Sequence, residues 1–327
     1  MDTDTARTLR LGLAPILALA WALAAGDPVP FLGPVLAANI LMMSQARPPL
    51  PALLRLFLAV MLVTLGVTWL TRAFAETPAV LWTVLLALTT GCFARLARAP
   101  RDVVGLLALV VTAVVTALVQ VSADLAAVLP WVMARAYLQA CIVALLAFAI
   151  WPGATPTVAP AAPPATPPLQ EGWTWTVLGK AVGMLAALGV AILLEDTSAT
   201  LVAITVTNVL RDPDPAIGRG FGLALLKANL WAGLLAMPVL LIAALQPPLL
   251  ALIPAASAGA LWLAAGLGRG SLAGTRARIG LPAYLTLLGL LLPKAGEGAG
   301  LLLADRLTMM ALAVAYAIAV LALVCRR

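Results

Sequence analysis

Histidine is missing from all 327 residues, and with it the commonest metal ligand and the side chain that titrates most readily near neutrality. Any proton this chain carries must ride on a carboxylate, and aspartate and glutamate together number only 13. Cysteine is rarer still. Cys92, Cys141 and Cys325 are odd in number, far apart and inside or beside apolar runs, so they read as small packing residues rather than a disulfide framework or a metal site. Charged residues make up 10% of the chain against 63% hydrophobic residues, and the mean hydropathy is +1.08. A soluble globule with an ordinary polar surface is excluded, and lipid must be the solvent. The net charge of +7 comes from basic residues scattered singly between apolar runs, which orient a membrane protein and do not form a nucleic-acid stripe. A phosphate-cradling loop is absent too, since GLGRGS at 266–271 has neither the spacing nor the lysine of a P-loop.

What is present is a succession of apolar windows: 9–25, 29–44, 50–70, 78–94, 103–121 and 127–151, then 175–194, 198–210, 220–245, 248–267, 279–293 and 299–324. The first follows Arg7 and Arg10 and ends in small residues, a pattern it shares with a cleaved signal peptide. Its repeat in the second half is internal and argues for a retained span. Residues 152–172, PGATPTVAPAAPPATPPLQEG, read as an extended linker. The expected fold is therefore an all-α polytopic membrane protein of about 12 transmembrane helices. Its parts are a six-helix repeat over 1–151, the linker, and a six-helix repeat over 173–327.

The repeat rests on a few landmarks. A shift of 169 positions pairs Asp27 with Asp196, Asn39 with Asn208 and Leu41 with Leu210, and a shift of 171 pairs Arg135 with Arg306. Cytoplasmic loops retain positive charge. With the N-terminus inside, Arg7, Arg10, Arg47, Arg55, Arg95, Arg98, Arg101, Arg211, Arg219, Arg269, Arg276, Arg278, Arg326 and Arg327 all fall on inner flanks. The outer loops keep only Arg72 and Lys294 among several acids. Both termini are thus expected in the cytoplasm, with the two halves parallel. The windows at 29–44 and 198–210 are short for a perpendicular crossing, and broken or re-entrant helices are the alternative.

ARPPLP at 46–51 and RDPDP at 211–215 stop a helix and turn the chain at corresponding places, as proline requires. The glycines of GRGFG at 218–222 would let the next helix approach a neighbour closely. Short paired segments at matching places point to a central transport site. That makes Asn39, Asn208, Thr205 and Thr207 candidate binding groups, with helix-to-helix hydrogen bonding as the bland alternative. A charge at the bilayer centre costs at least ~2.5 kcal/mol. Arg135, Arg306 and Lys227 are therefore candidates to hold an anion, although the two arginines lie near enough to helix ends to snorkel. Lys180, one turn into its span, is expected to snorkel inward. Arginine can hold a carboxylate bidentately while apolar walls take the attached ring or chain, which suits a small amphiphilic organic anion. Asp305, Asp196 and Glu195 are the available proton-coupling carboxylates, their alternative being ordinary loop solvation.

Six spans, a short linker and six spans, running through LVAITVTNVLRDPDPAIGRGFGLALLKANLWAGLLA, LWLAAGLGRG and ADRLTMMALAVAYAIAV, resemble the fusaric acid resistance and aromatic acid exporter superfamily. The similarity is to its compact branch without a large soluble insert. The resemblance implies a multi-pass protein of the bacterial inner membrane that exports aromatic carboxylic acids or other toxic amphiphiles on the proton gradient. It implies a periplasmic adaptor of the membrane fusion type, often with an outer-membrane channel, and neither cofactor nor enzymatic activity. Because such adaptors form rings, a homo-oligomer is compatible with it. Two other readings are an intramembrane enzyme acting on a lipid-linked substrate, for which the DPD of 212–214 is the sole acidic candidate, and a scaffold that transports nothing itself.

Overall fold

The computed structural model describes residues 3–44, 46–99, 102–121, 123–153, 173–193, 198–210, 215–266 and 271–324. Among them are twelve α-helices and no strand. In chain order these are α1 (Thr3–Ala24), α2 (Leu32–Met43), α3 (Leu50–Ala73), α4 (Pro78–Arg98), α5 (Val103–Val121) and α6 (Ala123–Ile150). They continue as α7 (Trp173–Leu193), α8 (Ser198–Leu210), α9 (Pro215–Ala243), α10 (Leu249–Ala265), α11 (Ser271–Leu291) and α12 (Ala299–Val324). Helix is the physically required answer to an apolar run in lipid, because it satisfies every interior backbone donor and acceptor within the segment.

Eight of the helices are long and apolar enough to cross a membrane: α1, α3, α4, α6, α7, α9, α11 and α12. The shorter apolar stretches are Leu32–Met43, Val104–Val119 and Leu249–Ala265. At 12 and 13 residues, α2 and α8 span roughly 18–20 Å at 1.5 Å per residue, well under a ~30 Å hydrocarbon layer. Exposed Trp21, Trp69, Trp175 and Trp262 each lie within about one turn of a helix end, where an amphipathic ring suits a membrane–water boundary.

Prolines mark several of the breaks. Pro48 and Pro49 lie between α2 and α3, and Pro78 and Pro215 open α4 and α9, where a missing N–H costs nothing. Arg211, Asp212, Pro213 and Asp214 lie outside the described residues. The turn after α1 closes differently. Gly26, at φ 65°, donates to the Leu23 carbonyl (3.1 Å) and Asp27 donates to that of Ala22 (3.0 Å). This paired left-handed cap satisfies two of the helix's orphan carbonyls and fixes the backbone at Asp27.

The chain forms two compact units, each drawing on segments before and after residues 152–172. Unit 1 comprises 1–54, 132–161 and 224–307. Within it α1 packs on α2, α10 and α11, α2 also packs on α11, and α10 on α11. Its core is rich in alanine (Ala37, Ala140, Ala144, Ala232, Ala236, Ala260) among larger residues such as Leu263 and Tyr284. Small side chains allow close approach: a Cβ on Gly12 of α1 would stand 2.9 Å from the Leu261 Cα of α10.

Unit 2 comprises 55–131, 162–223 and 308–327. There α7 packs on α8, α4 and α5, α8 also packs on α5, and α4 on α5. The second half of α12 is seated on two glycine pairs. Gly179 and Gly183 of α7 face Val324 and Val320, while Gly218 and Gly222 face Leu321 and Ile318. The close approach expected of GRGFG is thus made, and α12 is its neighbour. Tyr316 fastens it by donating to the Gly183 carbonyl at 2.9 Å.

Candidate functional site

The candidate anion ligands Arg135, Arg306, Lys227 and Asn39 all belong to unit 1, as does Asp305, whereas Thr205, Thr207 and Asn208 belong to unit 2. Asn39 and Lys227 are exposed, Asn208 is half-buried, and Thr205 and Thr207 are buried. The Thr207 hydroxyl has no hydrogen-bond partner among the described residues. Arg306 is buried at 6% exposure, while its neighbour Asp305 is exposed. Glu195 and Asp196 lie outside the described residues. Lys180 is buried at 3% exposure, whereas a snorkelling side chain would be exposed at its tip.

Arg135 has a carboxylate partner that the sequence reading did not assign to the site. Its Nη1 lies 2.9 Å from Oδ1 of Asp27, with side-chain exposures of 42% and 12% respectively. Asp27 is presented by the rigid cap after α1. One turn beyond Arg135 on α6, the buried Gln139 donates from Nε2 to the Ala18 carbonyl of α1 at 2.8 Å. Gly33 of α2 lies against the Gln139 carboxamide, where any side chain would overlap it. Two polar ties therefore run from one face of α6 to α1 and the turn that follows it.

Apolar contacts hold the same turn independently. Val29 and Phe31 pack with Val132 of α6, and Phe31 rests on Gly289 of α11, where a Cβ would stand 2.7 Å from the Phe31 Cβ. A signal for Asp27 was present in the sequence: the shift that pairs Asn39 with Asn208 also pairs it with Asp196, a residue already singled out as a carboxylate of interest.

Far along α1 from this turn, Arg10 is buried at 4% exposure. Its Nη1 donates to the Trp151 carbonyl (3.1 Å) just past the end of α6, and the guanidinium lies 4.2 Å from the centroid of the Phe148 ring. A cation at a helix C-terminus meets the last unpaired carbonyls and the negative end of the helix dipole. Read from sequence as an orienting flank charge, Arg10 is a cap for α6. Lys180 of α7, 170 positions further along the chain, is likewise a buried cation in the first half of its helix.

In unit 2, Asp102 precedes α5 and accepts from the Val104 N–H at 3.1 Å and from Arg95 Nε at 2.8 Å. The Arg95 hydrogen bond, opposed by partial burial and helped by the Gly105 and Val104 amides, holds this carboxyl below the usual carboxylate range. Arg98 lies 5.4 Å from the Trp173 ring, joining the end of α4 to the start of α7. No group of three or more metal-ligating side chains occurs among the described residues.

The helices and their apolar surfaces define an all-helical, multi-pass membrane protein. Residues 7–147, less than half of the chain, match a family described as protein of unknown function DUF2955. No curated protein and no solved structure matches the chain.

Proposed function

We propose that this chain is the inner-membrane component of an efflux system that exports aromatic carboxylic acids or related amphiphilic toxic compounds. In this reading it has twelve crossings in two parallel six-helix repeats, with both termini cytoplasmic. The helix pairings support the repeat. Each pairing made in unit 1 (α1 with α2, α10 and α11; α2 with α11; α10 with α11) has its counterpart in unit 2 six helices away (α7 with α8, α4 and α5; α8 with α5; α4 with α5). The correspondence of Arg10 with Lys180 adds a landmark to those of Asp27, Asn39 and Arg135.

The observation that carries the function is the Arg135–Asp27 pair. A guanidinium within an apolar helix that already engages one carboxylate and remains 42% exposed supports a role in receiving an acidic cargo. Within unit 1, Arg306 and Lys227 extend the cationic set and Asn39 supplies a neutral polar group; Asn208, Thr205 and Thr207 are the proposed polar binding groups of unit 2. Asp305, Asp196 and Glu195 carry the proton coupling. A periplasmic adaptor of the membrane fusion type and an outer-membrane channel complete the route.

The test is accumulation of a panel of aromatic acids in cells expressing the chain with its adaptor. Expression lowers accumulation, and Arg135→Gln abolishes the effect while the protein remains in the membrane. Unchanged accumulation across the panel, with the adaptor present, removes the export reading. Export that survives Arg135→Gln, Arg306→Gln and Lys227→Gln together removes the cationic site.

A further inference from the structure

We infer that Asp27 is a built-in competitor for Arg135: its carboxylate occupies the place that the carboxylate of an amphiphilic ligand takes, and binding requires its displacement. The inference rests on the proposed anion site and adds the residue that competes with the ligand for it.

The contact is poorly suited to a purely structural role. The turn carrying Asp27 is already held by the Gly26 cap and by Val29 and Phe31 against Val132 and Gly289. An ion pair with one partner 42% exposed adds little to that. It is, however, suited to exchange. Asp27 engages a single nitrogen of a group with five N–H donors, and Arg135 makes no other hydrogen bond among the described residues. An incoming carboxylate can use both terminal nitrogens in the stronger parallel arrangement. Burial is arranged in the same sense. The Asp27 side chain is 12% exposed and that of Arg135 42%, so the guanidinium is the more accessible partner.

What lies beyond Arg135 on α6 defines the ligand. Leu138, Ile142 and Leu146 are exposed at 60%, 37% and 55%, and their spacing of three or four residues places them in one stripe below the guanidinium. A molecule with its carboxylate on Arg135 can lay an apolar body along that stripe. An inorganic anion or a small hydrophilic acid gains nothing from it. The ligand is thus a carboxylate amphiphile, which could be an aromatic acid from the aqueous phase or a fatty acid from the bilayer.

The experiment measures binding of acetate, benzoate and octanoate, with uncharged benzamide as control, to the full chain in detergent micelles. Wild type, Asp27→Asn, Asp27→Ala, Arg135→Gln and Asp27→Asn/Arg135→Gln are compared, with circular dichroism confirming helix content. Removing a competitor of exposed-ion-pair strength tightens carboxylate binding about two- to fivefold in both Asp27 variants. Benzamide binding does not change, and Arg135→Gln abolishes the gain. Benzoate responding more than octanoate assigns the aqueous source, and the reverse assigns the membrane source. A gain for acetate and octanoate without benzoate keeps the inference while removing the aromatic part of the proposed function. Equal or weaker carboxylate binding in both folded Asp27 variants overturns the inference, as does a gain that persists without Arg135.

Discussion

Gly289 offers the sharpest test of how the α1–α2 turn is seated. A Cβ there would stand 2.7 Å from the Phe31 Cβ and 2.9 Å from both its Cα and N, so the obstruction includes backbone. Ordinary carbon contacts lie at about 3.5–4.0 Å, and the turn must therefore shift by roughly 1 Å. Overpacking of this kind costs about 1–3 kcal/mol, partly hidden by the ~1 kcal/mol that alanine gains over glycine inside a helix. Gly66 of α3 isolates the second term, since it too is helical but meets nothing within 4 Å. Equilibrium unfolding in mixed micelles of graded denaturing strength compares Gly289→Ala with Gly66→Ala. Gly289→Ala should be the less stable by about 1–3 kcal/mol, with Gly66→Ala equal to or above wild type. The displaced turn should also weaken the Arg135–Asp27 contact, shown by benzoate binding tighter than in wild type. Equal stability of the two variants would refute the packing of Phe31 on α11.

Two further outcomes follow from the charged side chains. Arg10→Met keeps most of the apolar stem but loses the charge-assisted bond to Trp151 and the contact with Phe148. The bond is worth about 1.5–3 kcal/mol and the ring contact adds ~0.5–1 kcal/mol, offset by relief of a buried charge, so the same unfolding assay should show a net loss of ~1–3 kcal/mol. No loss would mean that α6 ends without that cap. Asp102, whose folded pKa lies below its unfolded value of about 3.9, contributes stability that is fully present above that value and lost as pH falls through the folded pKa. Acid titration of helix content should show a component below pH ~4 that Asp102→Asn removes. An identical acid limb in the variant would exclude the Arg95–Asp102 clamp as its source.

The helices were legible in the sequence because lipid leaves few options and proline and charge mark the breaks. The windows 103–121, 198–210 and 299–324 coincide with α5, α8 and α12. Elsewhere the polar flanks join the helix: α11 starts at Ser271, not 279, because the stretch SLAGTRAR is helical without being continuously apolar. Arg135 was conspicuous as a cation in an apolar run. Its partner was not, because no local pattern shows that the turn after α1 lies beside the middle of α6. Arg10 is the stronger case. The carbonyl it caps lies 141 residues away, and from the sequence its charge counts only towards orientation. Pairings such as α1 with α10 and α4 with α7 depend on which small residues meet which large ones across helices, as Gly12 meets Leu261, and periodicity within one segment does not carry that information.

The buried polar groups that find a partner divide by where that partner lies, and the division bears on what orders the helices. Thr64, Thr71, Thr89 and Thr112 return their hydroxyls to carbonyls four residues back on their own helices. Such bonds satisfy the hydroxyl locally and give no helix a preferred partner. Tyr137, Gln139, Tyr284 and Arg10 instead reach the Leu53, Ala18, Ala256 and Trp151 carbonyls, tying α6 to α3 and α1, α11 to α10, and α1 to the end of α6. All four ties lie within unit 1. In lipid the hydrophobic effect does not sort helices, since an apolar face is as well solvated by acyl chains as by another helix. Packing and polar ties must do so. Three of these four involve α6 or the residue just past its end, so the candidate anion ligand sits on a helix that polar bonds tie to its neighbours. That is where a guanidinium must be if its distance from Asp27 is to be set by the fold rather than by its own flexible side chain.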